Sequence, residues 1–391
     1  MIVEQTLINI SFVLVIAFLI FLFARILKLP EILLLIITGY ILGNISYQDI
    51  LPIIFSEDLV YSISVFALLL IIFTGNIKIK FGLLDKYSLI ILKFVGFFML
   101  VELIIFTMLF HFLTGISWQV SALISIILTG ASPLVINLFS HLKSKATTFL
   151  SLETEIPSFD AIFAFIFFDI FLLQTENPLS SIIMSNFRFI ILKFIIGFGT
   201  GLFVALITYK AMQKHYHQVY TPLGIIATIL ASYAFAKSLG GSGVLSLTTT
   251  SLILGNLHIN NIKKGIMPIN FLTKIFYLLV GIIIGTFIHI PYDVIFFVTS
   301  ISFYICFLII RYLVVHVILS KELRNIKDQL VFTIGAAKGF GAVTLASLLI
   351  QSKIPGAEIA FNYLVAFLFY SIIISSITAL ITNLLQRKTL F

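Results

Sequence analysis

Charge is what this chain has least of. Asp, Glu, Lys and Arg together make up 10% of its 391 residues, against 60% hydrophobic residues. A globular protein carries about 25% charged residues, so a soluble fold with an ordinary solvated surface is excluded. The one cysteine, Cys306, excludes a disulfide framework and any thiolate-based metal site. Alternation is lacking too. An outer-membrane barrel needs segments of about ten residues that alternate apolar and polar, whereas Leu7 to Ile26 and Ile295 to Ile310 are uniformly apolar. Residues 1–6 contain Glu4 and no basic side chain, so they do not form the basic region of a secretory signal. The first apolar run is expected to remain as a helix.

What is present is a succession of long apolar runs, which makes the chain an all-α polytopic membrane protein. A spanning helix needs roughly 20 apolar residues, about 30 with its loop, so the length accommodates about thirteen. The runs fall at 7–26, 31–46, 58–77, 87–113, 118–140, 148–173, 183–208, 222–237, 243–258, 267–288, 292–319, 329–351 and 357–383. Basic residues concentrate in cytoplasmic loops, which tests the count. With the amino terminus outside, the inward loops hold Arg25, Lys28, Lys78, Lys80, Lys86, Lys143, Lys145, Lys210, Lys214, Lys263, Lys264, Lys321, Arg324, Lys327, Arg387 and Lys388. The outward loops hold only Lys237 and Lys353. The expected topology is therefore a multi-pass protein of the cell membrane, amino terminus out and carboxyl terminus cytoplasmic. The net charge of +8 then follows from topology, and nucleic acid drops out as a partner. No soluble regulatory domain is expected, the whole chain forming one transmembrane domain.

An odd span number allows an inverted repeat, with repeat one at about 7–173, a linking helix at about 183–208 and repeat two at about 222–383. Transporters of that design carry interrupted helices at matching positions of the two halves. Span 5 contains Thr129-Gly130-Ala131-Ser132-Pro133, and span 12 contains Gly335-Ala336-Ala337-Lys338-Gly339-Phe340-Gly341. Both are poor helix, because glycine loses more backbone entropy than other residues and Pro133 lacks an N–H for the helical ladder. The alternative is close packing by small residues. The matched positions, and a lysine inside one of them, favour interruption.

Charges inside the bilayer cost roughly 2.5–3.5 kcal/mol each, so they pair or serve a pathway. Span 6 holds Glu153, Glu155, Asp160 and Asp169; span 11 holds Arg311 and span 12 holds Lys338. Counting inward from the same face puts Glu155 and Arg311 at similar depth, and a structural ion pair between them is expected. Asp160 falls near the midplane. A lone carboxylate there can hold a proton or a small cation, never both at once. Unwound carbonyls of span 5 would complete an oxygen shell of the kind hard cations prefer. The alternative for Asp160 is a structural partnership with Lys338. A hydrolase would need a Ser–His or paired-aspartate arrangement, and His289 and His316 lie at span ends away from any nucleophile. The chain does not read as an enzyme, and no cofactor is expected.

At these residues the sequence resembles the monovalent cation/proton antiporter superfamily, and within it the archaeal and bacterial sodium/proton exchangers of NhaP type. Family members carry Leu-Glu-Gly-Glu-Ser-Leu-Leu-Asn-Asp in span 6, and this chain reads Leu152-Glu153-Thr154-Glu155-Ile156-Pro157-Ser158-Phe159-Asp160. A Thr-Asp-Pro interruption in span 5 is matched by Thr129 through Pro133, a Gly-Leu-Arg-Gly segment by Ala336-Ala337-Lys338-Gly339, and the arginine paired with a span-6 glutamate by Arg311. The first hairpin resembles Leu29-Pro30 with Gly39-Tyr40-Ile41-Leu42-Gly43, and the third span resembles Phe73-Thr74-Gly75. The departures are Phe159 for the family's Asn, Ile156 for its Ser, and Asn76 where a Glu is frequent.

The resemblance implies the NhaA/NapA-like antiporter fold, with a six-helix core of crossed helices, a separate dimerisation domain, a homodimer and elevator-like movement of the core. It implies electroneutral sodium or lithium/proton exchange, with one carboxylate, Asp160, shared by cation and proton. Thr129 would supply further ligands, Glu155–Arg311 the brace, and Ser132, Pro133, Lys338 and Gly339 the interrupted-helix support. The other readings are potassium/proton exchange on the same fold and a homologue that has lost transport.

Overall fold

The computed structural model describes residues 2–27, 30–44, 55–80, 82, 86–129, 139, 142, 144–155, 182–213, 220–257, 262–288, 293–338, 340–351 and 354–388. Among these there are fourteen α-helices and no strand. That is the outcome a hydrocarbon solvent imposes, since an isolated apolar segment satisfies its own N–H and C=O groups only as a helix. The helices are α1 (Ile2–Leu27), α2 (Glu31–Asn44), α3 (Glu57–Asn76), α4 (Lys86–Thr114), α5 (Trp118–Thr129), α6 (Lys145–Glu155) and α7 (Ile182–Met212). After them come α8 (Tyr220–Ser238), α9 (Gly243–Asn256), α10 (Ile262–Thr286), α11 (Val294–Leu319), α12 (Ile326–Gly335), α13 (Phe340–Gln351) and α14 (Ala357–Lys388). Each of the thirteen expected spans contains a described helix, and the twelfth contains two, α12 and α13. Seven of the described helices are long and apolar enough by themselves to cross a bilayer, while α2 and α5 are shorter apolar helices.

The chain divides into two compact units. One comprises Met1–Ser64, Asp85–Thr154 and Tyr277–Phe391; the other comprises Val65–Leu84 and Glu155–Phe276.

The first unit is organised by phenyl rings at helical spacing. Phe94, Phe98, Phe106 and Phe110 line one face of α4, and Phe303 and Phe307 line a face of α11; all six are buried. Phe110 stacks on Phe303 at 4.1 Å, Phe98 meets Phe307 edge-on at 5.9 Å, and Phe367 of α14 meets Phe307 at 5.0 Å. Such pairs contribute about 0.5–1.5 kcal/mol each beyond their burial. Hydroxyls tie α11 to α14 as well, through Thr299–Tyr363 at 2.9 Å and Ser300–Tyr370 at 3.0 Å. Elsewhere in this unit α2 lies directly on the backbone of α10. A methyl added at Gly285 would sit 2.4 Å from the Ile36 carbonyl oxygen and 2.6 Å from Cα of Gly39. Between helices already in lipid, apolar side chains gain little by leaving it, so close backbone packing through small residues drives association.

The second unit applies the same device with a polar addition. Gly197 and Gly201 of α7 let α9 approach so closely that added methyls would lie 2.8 Å from the Ser242 carbonyl oxygen and 2.4 Å from that of Ser246. Beside this contact a hydroxyl chain links three helices. Thr200 donates to Ser246 at 3.2 Å, Ser232 bonds both Ser246 and Thr250 at 2.9 Å, and Thr250 donates to the Gly201 carbonyl at 2.9 Å. At the end of α9, Asn256 donates to the Ile79 carbonyl at 2.9 Å, and Lys80 donates to the Gly255 carbonyl.

The packing at Gly285 leaves no room for a side chain, whereas nothing lies within 4 Å of a methyl added at Gly96. Gly285→Val is expected to destabilise the protein by about 1–3 kcal/mol through overpacking, and Gly96→Ala to leave it unchanged or slightly more stable through helix propensity. Thermal unfolding of the two variants in detergent checks both. Equal melting temperatures would contradict the close α2–α10 contact.

Candidate functional site

The charge expected to be braced at depth is braced, but by a different glutamate. Arg311 of α11 is fully buried and Glu153 of α6 is 6% exposed. One guanidinium nitrogen, Nη2, donates to both carboxylate oxygens of Glu153, at 2.9 and 2.7 Å. The structure thus pairs Arg311 with Glu153, where Glu155 was the expected partner. Depth alone cannot separate the two acids, which lie only about 3 Å apart along the axis. Phase separates them, since two residues turn a helix by about 200°. The side chain of Glu155 lies outside the described residues.

The guanidinium does more than neutralise an acid. Its Nε donates to the Thr333 carbonyl at 3.1 Å, and Nη2 also reaches the Phe332 carbonyl at 3.5 Å. Its central carbon lies 5.4, 5.2 and 5.2 Å from the ring centres of Phe94, Phe98 and Phe332. Nη1 has no hydrogen-bond partner, and attraction to the three aromatic faces is the compensation that this apolar cage offers it.

Thr333 and Phe332 belong to the last turn of α12, which ends at Gly335. Residues 336–338 are not helical, and α13 begins at Phe340. Span 12 is thus interrupted where its glycines and Lys338 predict. The last four carbonyls of a helix have no intrahelical donor, and in a bilayer each must find one elsewhere. Here all four do. Phe332 and Thr333 take the Arg311 donors, Ile334 accepts from the Ser375 hydroxyl, and Gly335 accepts from the Ala337 N–H at 2.9 Å. On the far side of the break the Lys338 N–H donates to Ser371 Oγ at 3.1 Å, and that hydroxyl donates to the Leu368 carbonyl at 2.9 Å. Ser371 and Ser375 of α14, one turn apart, hold the two sides of the interruption.

Lys338 itself is fully buried. Its Nζ donates to the carbonyl of Thr129, the last residue of α5, at 3.0 Å and lies 4.4 Å from the ring centre of Phe307. The Thr129 hydroxyl is buried too and donates to the Ser125 carbonyl at 3.2 Å. The structure therefore brings together Thr129, Lys338 and the break in span 12, with Arg311 at the end of α12. Asp160, Ser132, Pro133 and Gly339 lie outside the described residues. Glu153 is the residue that depth counting passed over. The serine pair and the phenyl cage were also missed; the sequence marks Ser371 and Ser375 only as two hydroxyls one turn apart in a span that also holds Ser376 and Thr378.

The chain matches the family model described as sodium/hydrogen exchanger, transmembrane, over residues 13–383. Among solved structures it is similar to the sodium proton antiporter MjNhaP1 from Methanocaldococcus jannaschii at pH 8, with a TM-score of 0.77, 18% identity and coverage of 96% of this chain and 97% of that one. An electron-microscopy map of the same antiporter matches with a TM-score of 0.73 at 19% identity, covering 98% and 97% of the two chains. No curated protein matches by sequence.

Removing one partner of a buried ion pair leaves the other charge uncompensated, at a cost of about 3–5 kcal/mol. Glu153→Gln is expected to lose stability in that range, and Arg311→Lys nearly as much, because one ammonium cannot reach Glu153 and two carbonyls of α12 together. Glu155→Gln is expected to lose less than Glu153→Gln. Thermal unfolding of the three variants in detergent decides, and a larger loss at Glu155 would reverse the assignment.

Proposed function

The chain belongs to the transmembrane sodium/hydrogen exchanger family and is a cation/proton antiporter; from that premise we propose that it exchanges sodium or lithium for protons, one for one, through Asp160. The reading gives each group one task. The Asp160 carboxylate is shared in turn by cation and proton, and the backbone and hydroxyl oxygens of Thr129 supply further ligands. Glu153–Arg311 braces the end of α12, Ser132 and Pro133 break span 5, and Lys338 with Gly339 completes the interruption of span 12. The carrier works as a homodimer in the cell membrane, amino terminus outside.

The observation that supports this reading most directly is the interruption of span 12 with its carbonyls satisfied from neighbouring helices. A continuous helix needs neither the arginine nor the serines. A break kept at bilayer depth exposes backbone dipoles where an ion can meet them, and non-helical backbone is tolerated there only when it is buried in protein or lines a cavity. The Thr129 carbonyl of α5, beside Lys338, is an oxygen ligand of the kind a hard cation takes. A single titratable carboxylate binding one monovalent ion or one proton gives electroneutral exchange, because the bound site carries the same charge in both loaded forms.

Proteoliposomes loaded with a pH-sensitive dye test the proposal. Sodium or lithium added outside is expected to alkalinise the lumen, because each ion that enters is exchanged for a proton that leaves, with no dependence on membrane potential. Asp160→Asn is expected to abolish the exchange, and undiminished exchange in that variant removes the proposal. Because protons occupy the same carboxylate, the half-saturating sodium concentration is expected to rise as pH falls. A value independent of pH would contradict shared occupancy. Potassium added as a competitor separates this reading from potassium/proton exchange.

A further inference from the structure

The oxygen that the antiport reading offers to the transported ion is already in use. The Thr129 carbonyl accepts from the Lys338 ammonium at 3.0 Å. That ammonium is fixed on several sides. It lies 4.4 Å from the Phe307 ring centre, its residue is fully buried, and its own backbone N–H is held by Ser371. Ser371 is in turn anchored on the Leu368 carbonyl within α14. An ammonium is a compact monovalent cation that takes oxygen ligands, so it resembles, chemically, the ion it sits in place of.

We propose that Lys338 is a tethered competitor: its ammonium occupies the Thr129 carbonyl when the site is free of cation and has to leave that oxygen when sodium or lithium binds. This rests on the antiport reading and deepens it. Cation affinity is then the difference between the ion's own coordination and the contact it displaces. The displaced ammonium belongs to a residue of the break at 336–338, so binding changes the contacts that the interrupted span makes with α5. A site built this way couples occupancy to the shape of the interrupted span, because the ion and the lysine cannot both have the same oxygen. Ser371 is the positioning residue, holding the backbone from which the ammonium reaches Thr129.

The test uses the full-length protein, with sodium and lithium chlorides as the probes. Binding is measured by calorimetry in detergent and half-saturation by exchange in proteoliposomes, for the wild type and Lys338→Met, Lys338→Arg and Ser371→Ala. Lys338→Met is expected to lower the half-saturating sodium concentration by about tenfold, since a like charge some 5 Å from the ion is removed along with the competition for its ligand. Lys338→Arg keeps the charge but presents several donors in a rigid plane, so it is harder to displace and is expected to raise the half-saturating concentration. Ser371→Ala loosens the tether and is expected to lower the value by a smaller factor; it carries the test if Lys338→Met does not fold. A lysine with a merely structural role would reduce thermal stability and leave half-saturation unmoved. Unchanged or weaker sodium binding in both Lys338→Met and Ser371→Ala overturns the inference while wild-type exchange keeps the antiport reading. A wild-type protein that neither binds nor exchanges the cation overturns both.

Discussion

A guanidinium held between a glutamate and the carbonyl end of a broken helix is the interaction on which the described site depends. Arg311 is buried among phenyl rings, at a depth where an isolated charge would not be tolerated. Glu153 answers its charge, and α12 answers its geometry. Two of the four carbonyls orphaned by the break at Gly335 are capped from α11 by this one side chain. The helix dipole adds to the fit, because a cation at a helix carboxyl end is favoured, most strongly where water does not screen it. Neither half of the arrangement stands alone. Without Glu153 the guanidinium would be uncompensated, and without Arg311 the end of α12 would face apolar side chains with empty acceptors. An ion pair that would be weak evidence of stability in a continuous bundle is here the condition for having an interruption at all.

The fold was legible in the sequence because the solvent of the fold is the bilayer. Apolar runs of the right length must become helices, and the described helices fall within them. The break in span 12 was legible for a related reason, since three glycines and a lysine in seven residues cannot propagate a helical ladder cheaply and no other span of the second half holds three glycines so close together. Which glutamate faces Arg311 was not legible. Counting from the membrane surface yields depth, in steps of about 1.5 Å per residue, but not rotation about the axis. Glu153 and Glu155 are neighbours in depth, so depth does not choose between them. The aromatic cage was hidden by abundance. With 41 phenylalanines in the chain, nothing in the sequence marks Phe94, Phe98 and Phe332 as the three that enclose the guanidinium.

The serines of α14 show a different kind of legibility. A hydroxyl in an apolar span usually bonds to the carbonyl one turn back in its own helix, as Ser376 and Thr378 do here. Ser375 instead donates across to the Ile334 carbonyl, and Ser371, while donating back to Leu368, also accepts from the Lys338 N–H. Composition cannot distinguish the two uses. Only an unsatisfied backbone within reach draws the hydroxyl outward, so the serines acquire their role from the interruption rather than causing it.

Two cations therefore meet backbone carbonyls in this unit, and they are chemically unlike. Arg311 presents several donors in a rigid plane, never loses its charge, and is tied to an acid, two carbonyls and three rings. Lys338 presents a point charge on a flexible stem. Its contacts include one ring and the Thr129 carbonyl of α5, the oxygen that the proposed exchange offers to its ion. Displacing the guanidinium would break several contacts at once and leave a buried acid behind. Displacing the ammonium from Thr129 by another monovalent cation returns a positive charge to the same carbonyl. A positive charge on backbone carbonyls inside the membrane is supplied in one place by a group suited to stay and in the other, in the proposed mechanism, by a group that a transported ion replaces. A carrier requires both kinds: the site must keep its shape through the cycle, and one of its charges must be exchangeable.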